Sequence, residues 1–138
     1  MSKFTEMQKI ISGAFHYLKK AGTKEIETSA HDPDLTRSID QSYKKYPKLM
    51  QSFEYGNTNI NPSFIDLELV IQSLANKHYF YIDTLAPTPI ILQGISKLKE
   101  IPEPSDEIKE VCEYISKDLL KRKKGLEGIF TEQYSNIN

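Results

Sequence analysis

The densest polar cluster in the chain is His31-Asp32-Pro33-Asp34. An imidazole beside two carboxylates is a donor set for a metal ion and a candidate acid–base pair. The same four residues also spell the start of a helix. Asp32 is a favoured N-cap, Pro33 suits the first helical position, and Asp34 complements the positive end of the helix dipole. That accounts for both aspartates without a metal. An enzyme site built on His31 would need a nearby carboxylate converging on it in a pocket.

Cys112 is the single cysteine, and it is the nucleophile a thiol–imidazole pair would require. It falls on an apolar stripe beside Val111 and Ile115, where a thiol is buried and inert. His16 lies between Phe15 and Tyr17, on or near an apolar face, and reads as a half-buried, hydrogen-bonded ring. His78 precedes an aromatic run. There is no glycine-rich phosphate loop, no His-Glu-x-x-His, no nucleophile elbow and no EF-hand spacing. No catalytic residue, cofactor ligand or metal ligand is assigned from the sequence.

Recognition chemistry is better represented. Glu25, Glu27, Asp32, Asp34 and Asp40 lie within one short stretch, opposed by Lys24 and Arg37. Such a stretch is a solvated face or a surface that meets a basic partner by mimicking phosphate charge. Lys117, Lys121, Arg122, Lys123 and Lys124 crowd the end of the last helical segment. They complement the helix dipole or contact phosphate or an acidic partner. No aromatic side chain interleaves them for base stacking, which weighs against nucleic acid. The chain has 8 tyrosines and no tryptophan. Tyr46 and Tyr55 lie nearest a predicted kink and, with Tyr43, are the candidate aromatic anchors, since tyrosine supplies area and a hydrogen bond together.

These groups sit in a chain of 138 residues, one domain in length, with 38% hydrophobic and 27% charged residues. With 18 basic and 19 acidic side chains the net charge is −1, which excludes a polycation that coats nucleic acid or anionic lipid. One cysteine excludes an intramolecular disulfide framework. No secretory leader is evident at the N-terminus, and Thr84 to Ile95, the longest uncharged stretch, is too short to span a bilayer. The reading is cytoplasmic. The abundance of Lys, Ile, Asn and Tyr suggests an AT-rich bacterial or phage genome.

The elements that must hold these residues read as helices. Phe4, Met7, Ile11, Phe15 and Leu18 recur at helical steps and predict a first helix over 2–21, stopped by Lys19-Lys20 and Gly22. Residues 22–31 read as loop. A second helix starts at Asp32 and breaks before Pro47, followed by a short piece carrying Leu49, Met50 and Phe53. A third starts at Asn61-Pro62. Phe64, Leu67, Ile71 and Leu74 form its face, widened by Ile65, Leu69 and Val70, so it reads as a central helix. His78 to Ile82 reads as continued helix with a short strand as the alternative, because no second strand candidate offers a partner. Residues 90–100 read as helix, 101–104 as an extended connector, and the last helix starts at Ser105. Its Glu113–Lys117 and Asp118–Arg122 spacings suit ion pairs. Leu126, Ile129 and Phe130 are expected to dock, and the tail after about 131 to fray.

The fold expectation is a single all-α domain, an irregular bundle of five to six helices over 1–138. The functional expectation is a non-enzymatic protein-binding module, of the inhibitor or immunity type that antagonises a bacterial toxin or defence effector. It would act through the acidic stretch and the tyrosines on a partner with a basic surface. The alternatives are a nucleic-acid-associated regulator using the basic helix end, and a structural subunit of a larger assembly. An exposed apolar patch around Phe53, Tyr55 and Ile60 would favour the last.

Overall fold

The structure, a computed structural model, describes residues 2–56, 60–84 and 89–135, with side chains described as far as Lys124. Four helices and a three-stranded antiparallel sheet make up the described residues. In chain order these are α1 (Lys3–Lys20), β1 (Glu25–Glu27), α2 (Pro33–Lys45), α3 (Leu67–Asn76), β2 (Tyr81–Ile82), β3 (Pro89–Ile91) and α4 (Asp106–Ser135). The all-α bundle of five to six helices is therefore wrong in class as well as in count.

Helices whose ends carry local signals lie where the periodicity puts them. Ser2 caps α1 by accepting from the Thr5 amide at 3.1 Å. Gly22 follows α1 with φ +90, a left-handed geometry that costs glycine no Cβ clash, and its amide returns to the Lys19 carbonyl. Asp32 caps α2 by accepting from the Asp34 amide at 3.1 Å, with Pro33 in the first turn. The chain leaves α2 at Tyr46, as Pro47 requires. Beyond it lie turns, not the expected helical piece, although Met50 and Phe53 are buried as that piece would have buried them.

The sheet is what the helical reading missed. Its order is β1-β3-β2, with Ile26 opposite Ile90 and Ile82 opposite the same residue on the other side. Each strand has only two or three residues, too few to show a period of two. Residues 22–31 therefore hold a strand within the expected loop. Ile90 and Ile91 are β-branched and follow a proline, and they enter the sheet instead of a helix. Tyr81 and Ile82 find in β3 the partner that the sequence did not reveal, so the strand alternative holds there.

The third helix begins later than expected. The Gly56 amide donates to the Ser63 carbonyl and the Ile65 amide to the Glu54 carbonyl, each at 2.9 Å, around a bridge between Tyr55 and Phe64. Asn61-Pro62 thus precede a bridge, and Asp66 turns the chain into α3 with φ +66. Aspartate tolerates that conformation better than most side chains. Nor is α3 enclosed on all sides. Leu67, Val70, Ile71 and Leu74 are buried, while Ile65 and Leu69 face outward.

One apolar core joins all the elements. α1 packs chiefly on α4 and also on α3, and α2 packs on α4. The α1–α4 contact is close at Gly13, where a methyl group would overlap Cys112 Sγ. The sheet is tied to the end of α1 through Gln93 Nε2, which donates to the carbonyls of Lys19 and Thr23 at 3.1 and 3.2 Å. Residues 57–59, 85–88 and 136–138, and the side chains beyond 124, lie outside the described residues. So do the expected Asn57-Thr58-Asn59 loop, most of the Pro87-Thr88-Pro89 break, the docking of Leu126, Ile129 and Phe130, and the frayed tail. No helix among the described residues is long and apolar enough to cross a membrane.

Candidate functional site

The acidic and basic clusters meet each other. Lys123 Nζ lies 2.8 Å from Asp32 Oδ2 and 3.1 Å from Asp34 Oδ2, and all three side chains are mostly buried. Burial alone would push the Lys123 ammonium down. Its hydrogen bonds to Asp32 and Asp34, and their charge, outweigh that and hold it above the ordinary lysine value. One turn away, Asp118 Oδ2 accepts from Ser38 Oγ at 2.6 Å and from Arg122 Nε at 2.7 Å. These bonds fasten the first half of α2 to the middle third of α4. Two stretches that suggested two different partners are, for these residues, each other's partner.

What is left of each cluster is smaller. Glu25 and Glu27 stand exposed on β1, flanking the buried Ile26. On α4, Lys117 leans toward Glu113 at 3.9 Å, and Lys121 and Lys124 are exposed. This dispersal leaves no basic stripe comparable to a phosphate-tracking surface among the described residues.

Asp40 belongs to a different arrangement. Its Oδ1 accepts from the Tyr55 hydroxyl at 2.5 Å, and its Oδ2 lies 3.2 Å from Lys44 Nζ. Tyr43 packs edge-on against Tyr55, and Tyr55 packs against Phe64. Burial, then the hydrogen bond to Asp40, pushes the Tyr55 phenol well above its ordinary value, so it stays a neutral donor. Tyr46 lies apart from this group. It packs edge-on against Tyr114, shares the Lys45 ammonium with it, and donates to Glu110 at 3.0 Å. Three of the residues singled out in the sequence, Asp40, Tyr43 and Tyr55, thus come together; Tyr46 does not join them.

Tyr55 and Ile60, two of the three residues named for an exposed apolar patch, are exposed, and so are Ile65 and Leu69, which the sequence reading placed on the apolar face of a helix. Six large hydrophobic side chains are exposed among the described residues, and four of them are Tyr55, Ile60, Ile65 and Leu69. Phe53, expected in such a patch, is fully buried. Acidic groups flank this stretch: Glu54 (paired with Lys3), Asp66 and Glu68. Arg37 reaches Asn61 at 3.0 Å and ties α2 to the same stretch.

His31 meets one carboxylate, that of Glu68 on α3. Its ring is largely exposed, and Nε2 lies 3.5 Å from Glu68 Oε2 of α3. No group of three metal-ligating side chains converges among the described residues. The His31–Glu68 contact does lie between two hollows. One, of about 140 Å³, is lined by Thr28, His31, Gln72, Ile71, Ile82 and Ile90 among others. The other, of about 270 Å³, is lined by Ser63, Phe64, Asp66 and Leu69, and shares Ala30, His31 and Glu68 with the first. Thr28 is 6% exposed and its hydroxyl makes no hydrogen bond, which costs a fold about 1–3 kcal/mol. Glu68 was missed because it lies far along the chain from His31; the only available signal was a charged residue inside an apolar helix.

The other candidate nucleophile is shut away. Cys112 is fully buried, its Sγ donates to the Ile10 carbonyl at 3.5 Å, and burial pushes the thiol up to about 12. His16 hydrogen-bonds the Ile101 carbonyl through Nδ1 at 3.0 Å, a structural role.

Comparison with protein-family models, curated proteins and solved structures returns no match, so the function must be argued from the chain itself.

Proposed function

We propose that this protein is a binding module that engages another protein through the face running from Tyr55 to Leu69, and acts as an antagonist by covering a basic surface on that partner. The observation that carries the reading is the concentration of exposed apolar side chains in one stretch: Tyr55, Ile60, Ile65 and Leu69, with Leu69 56% and Ile60 91% exposed. Scattered exposed hydrophobics are ordinary, whereas their clustering marks contact surfaces. Tyr55 is suited to be the central anchor. Its ring is held by Tyr43 and Phe64 and its hydroxyl by Asp40, so little side-chain entropy remains to be lost on binding. Asp66 and Glu68 on the rim would steer a basic partner and set its orientation.

The test is affinity capture from the native host at low and high salt, read by mass spectrometry. The bait is compared with its Ile65→Glu/Leu69→Glu variant and with a Lys121→Glu/Lys124→Glu control. The expected result is one stoichiometric protein, held less well at high salt, kept by the control and lost from the variant. A partner kept equally by the Ile65→Glu/Leu69→Glu protein, or capture of nucleic acid alone, overturns the reading.

A further inference from the structure

The two hollows on either side of His31 and Glu68 form one shallow groove between the 28–31 segment and α3. Its lining has a definite chemical bias. Isoleucines 71, 82 and 90 make an apolar wall for the smaller hollow. Asp66 and Glu68 are the carboxylates along the groove, and neither hollow is lined by a lysine or an arginine. The Glu68 carboxylate is 62% exposed, and among the described residues only His31 approaches it, on one oxygen. The Thr28 hydroxyl in the wall is itself buried and has no hydrogen-bond partner among the described residues.

We propose that the smaller hollow is a receptor for a guanidinium on an apolar stem, the side chain of an arginine presented by the protein partner. This rests on the binding reading above and names the side chain that the partner would supply. The stem lies against Ile71, Ile82 and Ile90, and the planar head forks onto the free side of Glu68. Gln72 Oε1 and the Ser29 hydroxyl at the rim accept its remaining N–H groups. A guanidinium suits this site better than an ammonium. It is more weakly hydrated, it bonds a carboxylate through two parallel N–H groups, and its flat face tolerates an apolar wall. A hollow near 140 Å³ admits a body the size of a benzene ring.

The site can be tested without any partner. Benzamidine carries an amidinium on such a ring, and benzamide is its neutral counterpart. Each is titrated into the protein and followed by amide chemical shifts. Benzamidine is expected to move Thr28, His31, Glu68 and Gln72 saturably, with a Kd of about a millimolar. Benzamide should move them little. Glu68→Gln is expected to weaken benzamidine at least about fivefold, the loss of one charge-assisted contact, while Glu25→Gln/Glu27→Gln leaves it unchanged. Absence of saturation, an equal response to benzamide, or an unchanged Kd in Glu68→Gln overturns the site. Where a partner is captured, N-acetylarginine amide should displace it. Binding of benzamidine with no displacement would assign the hollow to a free small cation and overturn the arginine assignment alone. A captured partner with no benzamidine binding would leave the binding module standing and remove this site.

Discussion

Two regions of this protein hold their polar groups in opposite ways. Between α2 and α4, Asp32, Asp34, Ser38, Asp118, Arg122 and Lys123 satisfy one another in a half-buried network. Between the 28–31 segment and α3, His31 and Glu68 touch at 3.5 Å in the open, and Thr28 has no hydrogen-bond partner. The first region has the denser charge in sequence and the lower capacity to bind anything else. The second has sparse charge and groups still available. Charge density along the chain is therefore a poor guide to which surface is free, because a partner inside the fold consumes it first.

The contrast can be broken from its strongest side. Asp32→Ala removes a helix cap and one of the two carboxylates on Lys123, and should lower stability by about 2 kcal/mol in denaturant unfolding. Lys123→Met leaves Asp32 and Asp34 facing each other unpaired and should cost about 1–2 kcal/mol, with no compensating gain elsewhere. Losses under 0.5 kcal/mol in both would mean that the clamp is no tighter than a surface ion pair.

The pH dependence has a definite sign. The Lys123 ammonium is held above its ordinary value, as are the Tyr55 phenol, by burial and Asp40, and the Cys112 thiol, raised to about 12 by burial. A group with a raised folded pKa binds its proton more tightly in the native state. Its contribution is complete below the unfolded value and lost as pH rises through the folded one. Stability should therefore fall above about pH 8.5, where an unfolded cysteine ionises, and fall further beyond about pH 10 as unfolded tyrosine and lysine release protons. Lys123→Met should flatten only the upper part of that decline. A flat profile from pH 8 to 11 would contradict these shifts.

On the open side the effects on stability reverse or vanish. Thr28→Val keeps the shape and removes an unsatisfied hydroxyl, so it should leave stability unchanged or raise it by up to about 1 kcal/mol. A loss above 1 kcal/mol would show that the hydroxyl has a partner after all. The smallest effect is expected at Leu69→Glu. This exposed position should move the unfolding midpoint by no more than about 0.5 kcal/mol, even though it is the substitution expected to abolish partner capture.

The parts legible in the sequence are those with local causes. Ser2, the Asp32-Pro33 start and the acidic first turn of α4 mark helix ends because a cap is made by residues a few positions apart. The Glu113–Lys117 and Asp118–Arg122 pairs follow from helical spacing alone. The sheet is illegible for the converse reason. Its β1–β3 pairing joins Glu25 to Ile91 across nearly half of the chain, and no segment of three residues declares its partner. Separation along the chain likewise hid the meeting of Asp32 with Lys123 and of His31 with Glu68. Residue types named the candidates, and only tertiary contact separated those already bound from those still free.

The close approach of α1 to α4 at Gly13 and Cys112 also bears on when the molecule can fold. α1 is made first, yet the apolar face it presents through Ile10, Ile11 and Ala14 is covered mainly by a helix that begins at Asp106. During synthesis that face lacks its main native cover until α4 has left the ribosome. The two long-range contacts that complete the core, α1 on α4 and α2 on α4, therefore form late. A chain stalled before residue 111 would lack Val111, Ile115 and Leu119 together, and would emerge as a substrate for chaperones and proteases rather than as a shorter version of the same domain.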